Sequence, residues 1–323
     1  MKLEKLGEAQ KKAQESANVA AQSQSQFAGA PKAGLSGIKE ISIVSGEEAY
    51  TEKIFVKVRG NLEVFFGGNG FPMNTFMIFL GCPNQGKSFL AAAIGADIAR
   101  SDVGKYGKVL YIETEPESID GSADYEKNKT LFDFVRPSNL GELASFVQKK
   151  LPNLAGITHS FIAIDSISEP AEDSQYLPDN PADMGAYRER AKYIRIIKET
   201  IRELLVEAND GKRKPFSIIM TSHLTKIVRP DIVPEDSVID PFYGKSKGQV
   251  QLISGYMLSG STSVVLQYLA SYIFIFKDAS YTTQKSVMFD KDKNTVVKVS
   301  AWKSRRSSKF VETSFRITND GVC

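Results

Sequence analysis

Apolar residues in this chain gather in short unbroken runs separated by polar, glycine-rich or helix-periodic stretches. Phe76-Met77-Ile78-Phe79-Leu80, Val109-Leu110-Tyr111-Ile112, Ser160-Phe161-Ile162-Ala163-Ile164, Phe216-Ser217-Ile218-Ile219-Met220-Thr221 and Tyr272-Ile273-Phe274-Ile275-Phe276 read as strands buried on both faces. Between them the period lengthens. A helix is expected from Ser88 to about Arg100, ahead of Gly104. A longer one is expected where Tyr187, Ala191, Ile194, Ile197, Ile201, Leu204 and Ala208 recur at spacings of three and four, with Gly211 just past its end. A short helix over Thr262–Ala270 precedes the Tyr272 run. Strands alternating with helices predict an α/β core with a mainly parallel sheet. Val287-Met288-Phe289 and Val296–Val299, flanking Asp290–Asn294, predict an antiparallel hairpin, and Phe310–Ile317 a last strand.

The ends of the chain read differently from its middle. Residues 1–36 are rich in Lys, Gln, Ala and Ser, and their apolar stripe is too thin for a core, so they are expected as a helical or disordered arm that contacts another subunit. Residues 37–323 are expected to form one core. It opens with extended chain from Ile38 to Phe66 and a turn cluster, Gly67-Gly68-Asn69-Gly70-Phe71-Pro72-Met73. Two long loops are expected inside it, at about 168–185 and 224–260. Loops of that length in a compact domain usually carry function.

Composition excludes more than it selects. With 323 residues and 42% hydrophobic content the chain can bury a large core. Its 41 basic and 38 acidic residues leave +3, so any basic footprint is local. Two cysteines, Cys82 and Cys323, make no disulfide framework, and no run suits a membrane span or a signal core. The expected setting is cytoplasmic, the host cytoplasm if the source is a phage, with no membrane partner.

The chemistry starts at Gly81-Cys82-Pro83-Asn84-Gln85-Gly86-Lys87-Ser88, which fits G-x-x-x-x-G-K-[ST] between an apolar strand and a helix. Glycines let the backbone curl so that several N–H groups point at one oxyanion. Lys87 can reach the β- and γ-phosphates, and the Ser88 hydroxyl can ligate Mg²⁺. The expected ligands are ATP and Mg²⁺. Other strand ends carry polar groups too. Asp165 stands where P-loop NTPases keep their second Mg²⁺-directed group, the alternative being a turn cap. Glu113, Glu115 and Glu117 follow one strand, where three acids suit a surface or an active-site rim, and His223 follows another.

Taken in order, these features resemble the RecA recombinase family, most of all its phage UvsX branch, over about residues 50–320. Gly67-Gly68 with Phe71-Pro72-Met73, Tyr111-Ile112-Glu113-Thr114-Glu115, Ile164-Asp165-Ser166, Asp183-Met184-Gly185, Thr221-Ser222-His223 and Trp302-Lys303-Ser304-Arg305 each resemble a family segment. The resemblance implies a RecA-type core in which Glu115 activates the attacking water and His223 senses the γ-phosphate. It also implies that Lys303 and Arg305 reach a neighbouring subunit's nucleotide. By residue chemistry alone, Glu113 is the fallback base if the strand ends earlier, and Lys303 with Arg305 also fit a solvated basic face. The resemblance places DNA contact on the two long loops, with Lys226, Arg229, Lys245 and Lys247 as cations and Phe242, Tyr243 and Tyr256 as stacking groups. Phe27-Ala28-Gly29-Ala30 resembles a subunit-docking element, but the pattern is too short to separate from chance.

The implied function is a DNA-dependent ATPase that forms filaments on single-stranded DNA and promotes homologous pairing and strand exchange in recombination and repair. The implied partners are single-stranded DNA, homologous duplex DNA, further copies of the chain, and single-strand-binding and mediator proteins. A ring-forming helicase with the same core, or a mediator paralogue that does not catalyse exchange, would share the phosphate loop. The family's bacterial members carry a further C-terminal domain, a counterpart of which is not expected in these residues.

Overall fold

A computed structural model describes residues 54–59, 61–167, 184–226, 252–253, 256–258, 264–278, 295–304 and 312–323. The chain divides into two compact units, Met1–Tyr50 and Thr51–Cys323, of which the first lies outside the described residues. The boundary expected near residue 36, the Ile38–Val44 run and the 287–289 arm of the predicted hairpin lie outside them as well.

The second unit begins with β1 (Phe55–Val56) paired antiparallel to β2 (Phe71–Pro72). Between them the expectation of extended chain fails, because Leu62–Phe66 forms a 3-10 turn closed by Gly67 at φ 72°. In a strand Phe65 and Phe66 would point to opposite faces. One helical turn lets Leu62, Phe65 and Phe66 all enter the core, where each is 2% exposed or less.

From there strands and helices alternate. β3 (Phe76–Gly81) leads through the phosphate loop into α1 (Lys87–Arg100), followed by β4 (Lys108–Glu113) and β5 (Phe132–Val135). Next come α2 (Leu140–Lys149), β6 (His159–Asp165), α3 (Met184–Asn209) and β7 (Ser217–Lys226). After β8 (Leu252–Ile253), β9 (Tyr256–Leu258) and α4 (Val264–Leu269), the chain ends with β10 (Tyr272–Asp278), β11 (Thr295–Ser304), β12 (Glu312–Thr318) and β13 (Gly321–Val322). The main sheet runs β13-β12-β11-β10-β3-β7-β6-β4-β5. It is parallel from β10 to β5, and β11, β12 and β13 continue it antiparallel. The expected α/β class, with a mainly parallel sheet and an antiparallel C-terminal hairpin, is the observed one.

Alternation along the strands builds two cores. Met77, Phe79, Tyr111, Phe161 and Phe274 face α1, whereas Ile78, Leu80, Ile112, Ile162 and Ile273 face α2, α3 and α4. In α3 the predicted stripe is buried from Ile194 to Ala208 but not at Ala191, which is exposed one turn earlier. Gly211, at φ 71°, ends that helix as expected. Among the described residues no helix is long and apolar enough to cross a membrane.

Candidate functional site

The carboxyl ends of β3, β7, β6 and β4 are neighbours in the sheet, and the phosphate loop, Glu115, Asp165 and His223 come together there. Backbone register sets Gly81 beside His223 and Glu113 beside Asp165, and the Thr114 N–H donates to the Asp165 carbonyl at 2.8 Å. Ligand sites of open parallel sheets form at such carboxyl ends. A cavity of about 420 Å³ opens at this point. It is lined by the loop from Pro83 to Phe89, by Glu115, Asp165 and His223, and by Thr295 and Ile317 of β11 and β12.

The loop is shaped by its own residues. Asn84 (φ 61°) and Gly86 (φ 74°) turn the backbone through the left-handed region, and Gln85 Oε1 accepts the Cys82 N–H at 2.7 Å. A methyl group at Gly81 would sit 2.5 Å from that same Oε1 and 2.9 Å from Phe276 Cβ, so the loop and β10 pack too closely for a side chain there. Gly86 is the N-cap of α1, which has no side-chain cap and no acid in its first turn. The helix thus presents its first N–H groups and its positive end to the cavity. Lys87 is buried, and its Nζ donates to the Cys82 carbonyl at 2.7 Å and the Gly81 carbonyl at 3.2 Å. Burial lowers the Lys87 pKa against the opposing charges of Asp165 and Glu115.

Glu115 lies across the cavity, its Oε1 2.6 Å from His223 Nε2 and accepting the Ser166 hydroxyl at 2.5 Å. Burial pushes its carboxyl up. The hydrogen bonds from His223 and Ser166, with the charges of His223 and Lys87, outweigh that and hold it below the usual carboxylate range. Asp165 accepts from two hydroxyls, Tyr111 at Oδ2 (2.5 Å) and Thr221 at Oδ1. Burial, then the Asp165 charge, keeps the Tyr111 phenol well above its ordinary pKa, so it is a neutral donor. The Asp165–Ser166 peptide is cis. Ser88 and Asp165 offer a hydroxyl and a carboxylate to one cavity, an all-oxygen set that suits Mg²⁺ completed by phosphates and water.

No protein-family model matches this chain, and no curated protein does. Among solved structures it is similar to one described as the crystal structure of the RadB recombinase, with 15% identity over 81% of this chain and 94% of that one, and a TM-score of 0.49.

Two sequence expectations change here. Glu113, the fallback base, is buried and turned away from the cavity. Its carboxylate is held by Arg136 Nε at 2.6 Å and by the Ser118 N–H at 3.1 Å, so only Glu115 and Glu117 of the three acids reach the cavity wall. Second, β7 does not stop at His223. It continues to Lys226, and its last three residues pair antiparallel with β9, so both borders of the expected loop at 224–260 are paired chain. Lys303, expected at a neighbouring subunit's nucleotide, here donates from its Nζ to the carbonyls of Gln267 (2.7 Å) and Tyr268 (3.2 Å) at the end of α4. Arg305, Arg229, Lys245 and Lys247 lie outside the described residues, as does the Lys226 side chain. Tyr111 and Thr221 join the site unannounced, and their hydroxyls within apolar runs were the available signal.

Proposed function

We propose that this chain is a DNA-dependent ATPase of the RecA recombinase type. It assembles on single-stranded DNA as a filament and promotes homologous pairing and strand exchange. The observation that carries the reading is the convergence of the phosphate loop, Glu115, Asp165 and His223 on one cavity from four adjacent strand ends. The ordered motif set supports it, and within the family that set is most like the UvsX branch.

In this reading Lys87 leaves the Gly81 and Cys82 carbonyls for the phosphates of ATP, exchanging two neutral acceptors for a charged one. Ser88 and Asp165 would hold Mg²⁺, which would supply positive charge against the phosphates. Glu115, already ionised, orients the attacking water and takes its proton. His223 touches that base and stands three residues before Lys226, so a strand-end contact ties the water-activating group to the second DNA-binding loop. Lys226 at the end of β7, with Arg229, Lys245 and Lys247 in the loop beyond it, contacts the DNA backbone, and residues 168–185 form the first loop. Lys303 and Arg305 act on a neighbour's nucleotide, for which Lys303 exchanges its α4 carbonyls for phosphate. The arm over residues 1–36 contributes to the same subunit contact.

Phosphate release measured with and without single-stranded DNA, beside negative-stain images with ATP and Mg²⁺, tests the reading. Stimulated hydrolysis and filaments are expected. Duplex unwinding by rings without strand exchange would contradict it.

A further inference from the structure

Asp165 ends β6 between β4 and β7, and each flanking strand sends it a hydroxyl: Tyr111 at Oδ2 and Thr221 at Oδ1. Tyr111 is fully buried in the apolar core beneath α1, and its ring packs on Phe134 at 5.7 Å between centroids. Phenylalanine would fill that site equally well. What the phenol adds is a single polar atom, and that atom meets the carboxylate facing the cavity, with the Ser118 and Ser88 hydroxyls beside it. The terminal torsion of an aspartate is broad and roughly two-fold, so one donor leaves its plane poorly defined. Two donors, one on each oxygen, select one orientation and leave the remaining lone pairs for the cavity wall that Ser88 shares.

We propose that Tyr111 is a positioning residue for the divalent cation of this site, fixing the Asp165 carboxylate toward Ser88 through its hydroxyl. The inference rests on the reading of the cavity as a Mg²⁺–nucleotide site and adds a residue outside the phosphate loop and the strand-end acids. Groups that orient a metal ligand without touching the metal typically change metal affinity by about 10–100-fold.

The test uses the full chain and a fluorescent ATP analogue, with binding followed against Mg²⁺ concentration and separately in EDTA. For Tyr111→Phe the half-saturating Mg²⁺ is expected to rise ~10-fold or more, with affinity in EDTA unchanged. In an Asp165→Asn background the same substitution should add nothing, because it acts through that carboxylate. A Mg²⁺ dependence equal to wild type, or affinity lost equally with and without Mg²⁺, overturns the inference. Should Tyr111→Phe not fold, a fluorinated tyrosine at position 111 keeps the hydroxyl. Its fluorine resonance should move when Mg²⁺ is added to the nucleotide complex, and an unmoved resonance overturns the proposal. A wild-type chain that binds no nucleotide removes the underlying reading and the inference with it. Normal wild-type binding with an unaltered Tyr111→Phe curve sinks the inference alone.

Discussion

At the scale of single residues, the site depends on one carboxylate being ionised and aimed. Glu115 is held by His223 and Ser166 and sits near Lys87, so Glu115→Gln should bind nucleotide with the wild-type affinity while hydrolysis falls by at least ~10²-fold. Parallel binding and phosphate-release assays check this, and retained turnover would move the base elsewhere. The same group makes stability depend on pH. Its pKa is depressed in the folded chain, so its contribution is present above the unfolded carboxylate pKa and is lost as pH falls through the folded one. The melting temperature of wild type should therefore exceed that of Glu115→Gln near neutral pH, and the gap should close in acid below the ordinary carboxylate range. A gap that widened in acid would mean the carboxyl is held in its protonated form.

Elements show where sequence and structure part. The doubly buried strands β3, β4, β6, β7 and β10 were legible because short unbroken apolar runs bounded by turn residues suit strands covered on both faces. β5 and α2 were not read, since Phe132-Asp133-Phe134-Val135 is short, interrupted by Asp133 and mostly only half-buried at a sheet edge. A signal for α2 did exist. Asn139 Oδ1 accepts the Glu142 N–H at 2.8 Å, Glu142 returns to the Ser138 N–H at 2.8 Å, and Leu140, Leu143, Ala144 and Val147 follow at helical spacing. The end of β7 was misjudged for another reason. Ladder pairing to β9 extends it, and no local pattern announces a partner some thirty residues away. In α1, Gly95 looks like a weak point for a helix, worth about 1 kcal/mol against alanine. Yet a Cβ there would lie 2.7 Å from Phe161 Cδ1 and 3.2 Å from Val109 Cγ1. Overpacking costs ~1–3 kcal/mol, so Gly95→Ala should destabilise the chain by about 1 kcal/mol rather than stabilise it, as read from a denaturation midpoint.

For the whole molecule, what the sequence showed best was order: a phosphate loop, then acid, acid and histidine at successive strand ends. The sheet makes that order spatial, because β3, β7, β6 and β4 are neighbours although they are first, fourth, third and second of these strands in the chain. Their adjacency is long-range and could not be counted off along the residues. The same closeness makes Lys87 central, since it is buried against its own loop and faces Asp165 and Glu115. Lys87→Ala should lower nucleotide affinity by ~10²-fold while leaving the apolar cores intact.

Steady-state phosphate release from Mg²⁺–ATP, with and without single-stranded DNA, for wild type, Lys87→Ala and Glu115→Gln is the most direct test of the central claim. Wild type should hydrolyse ATP faster with DNA, and both variants should lose that activity. Turnover indifferent to DNA, or undiminished in either variant, would contradict it.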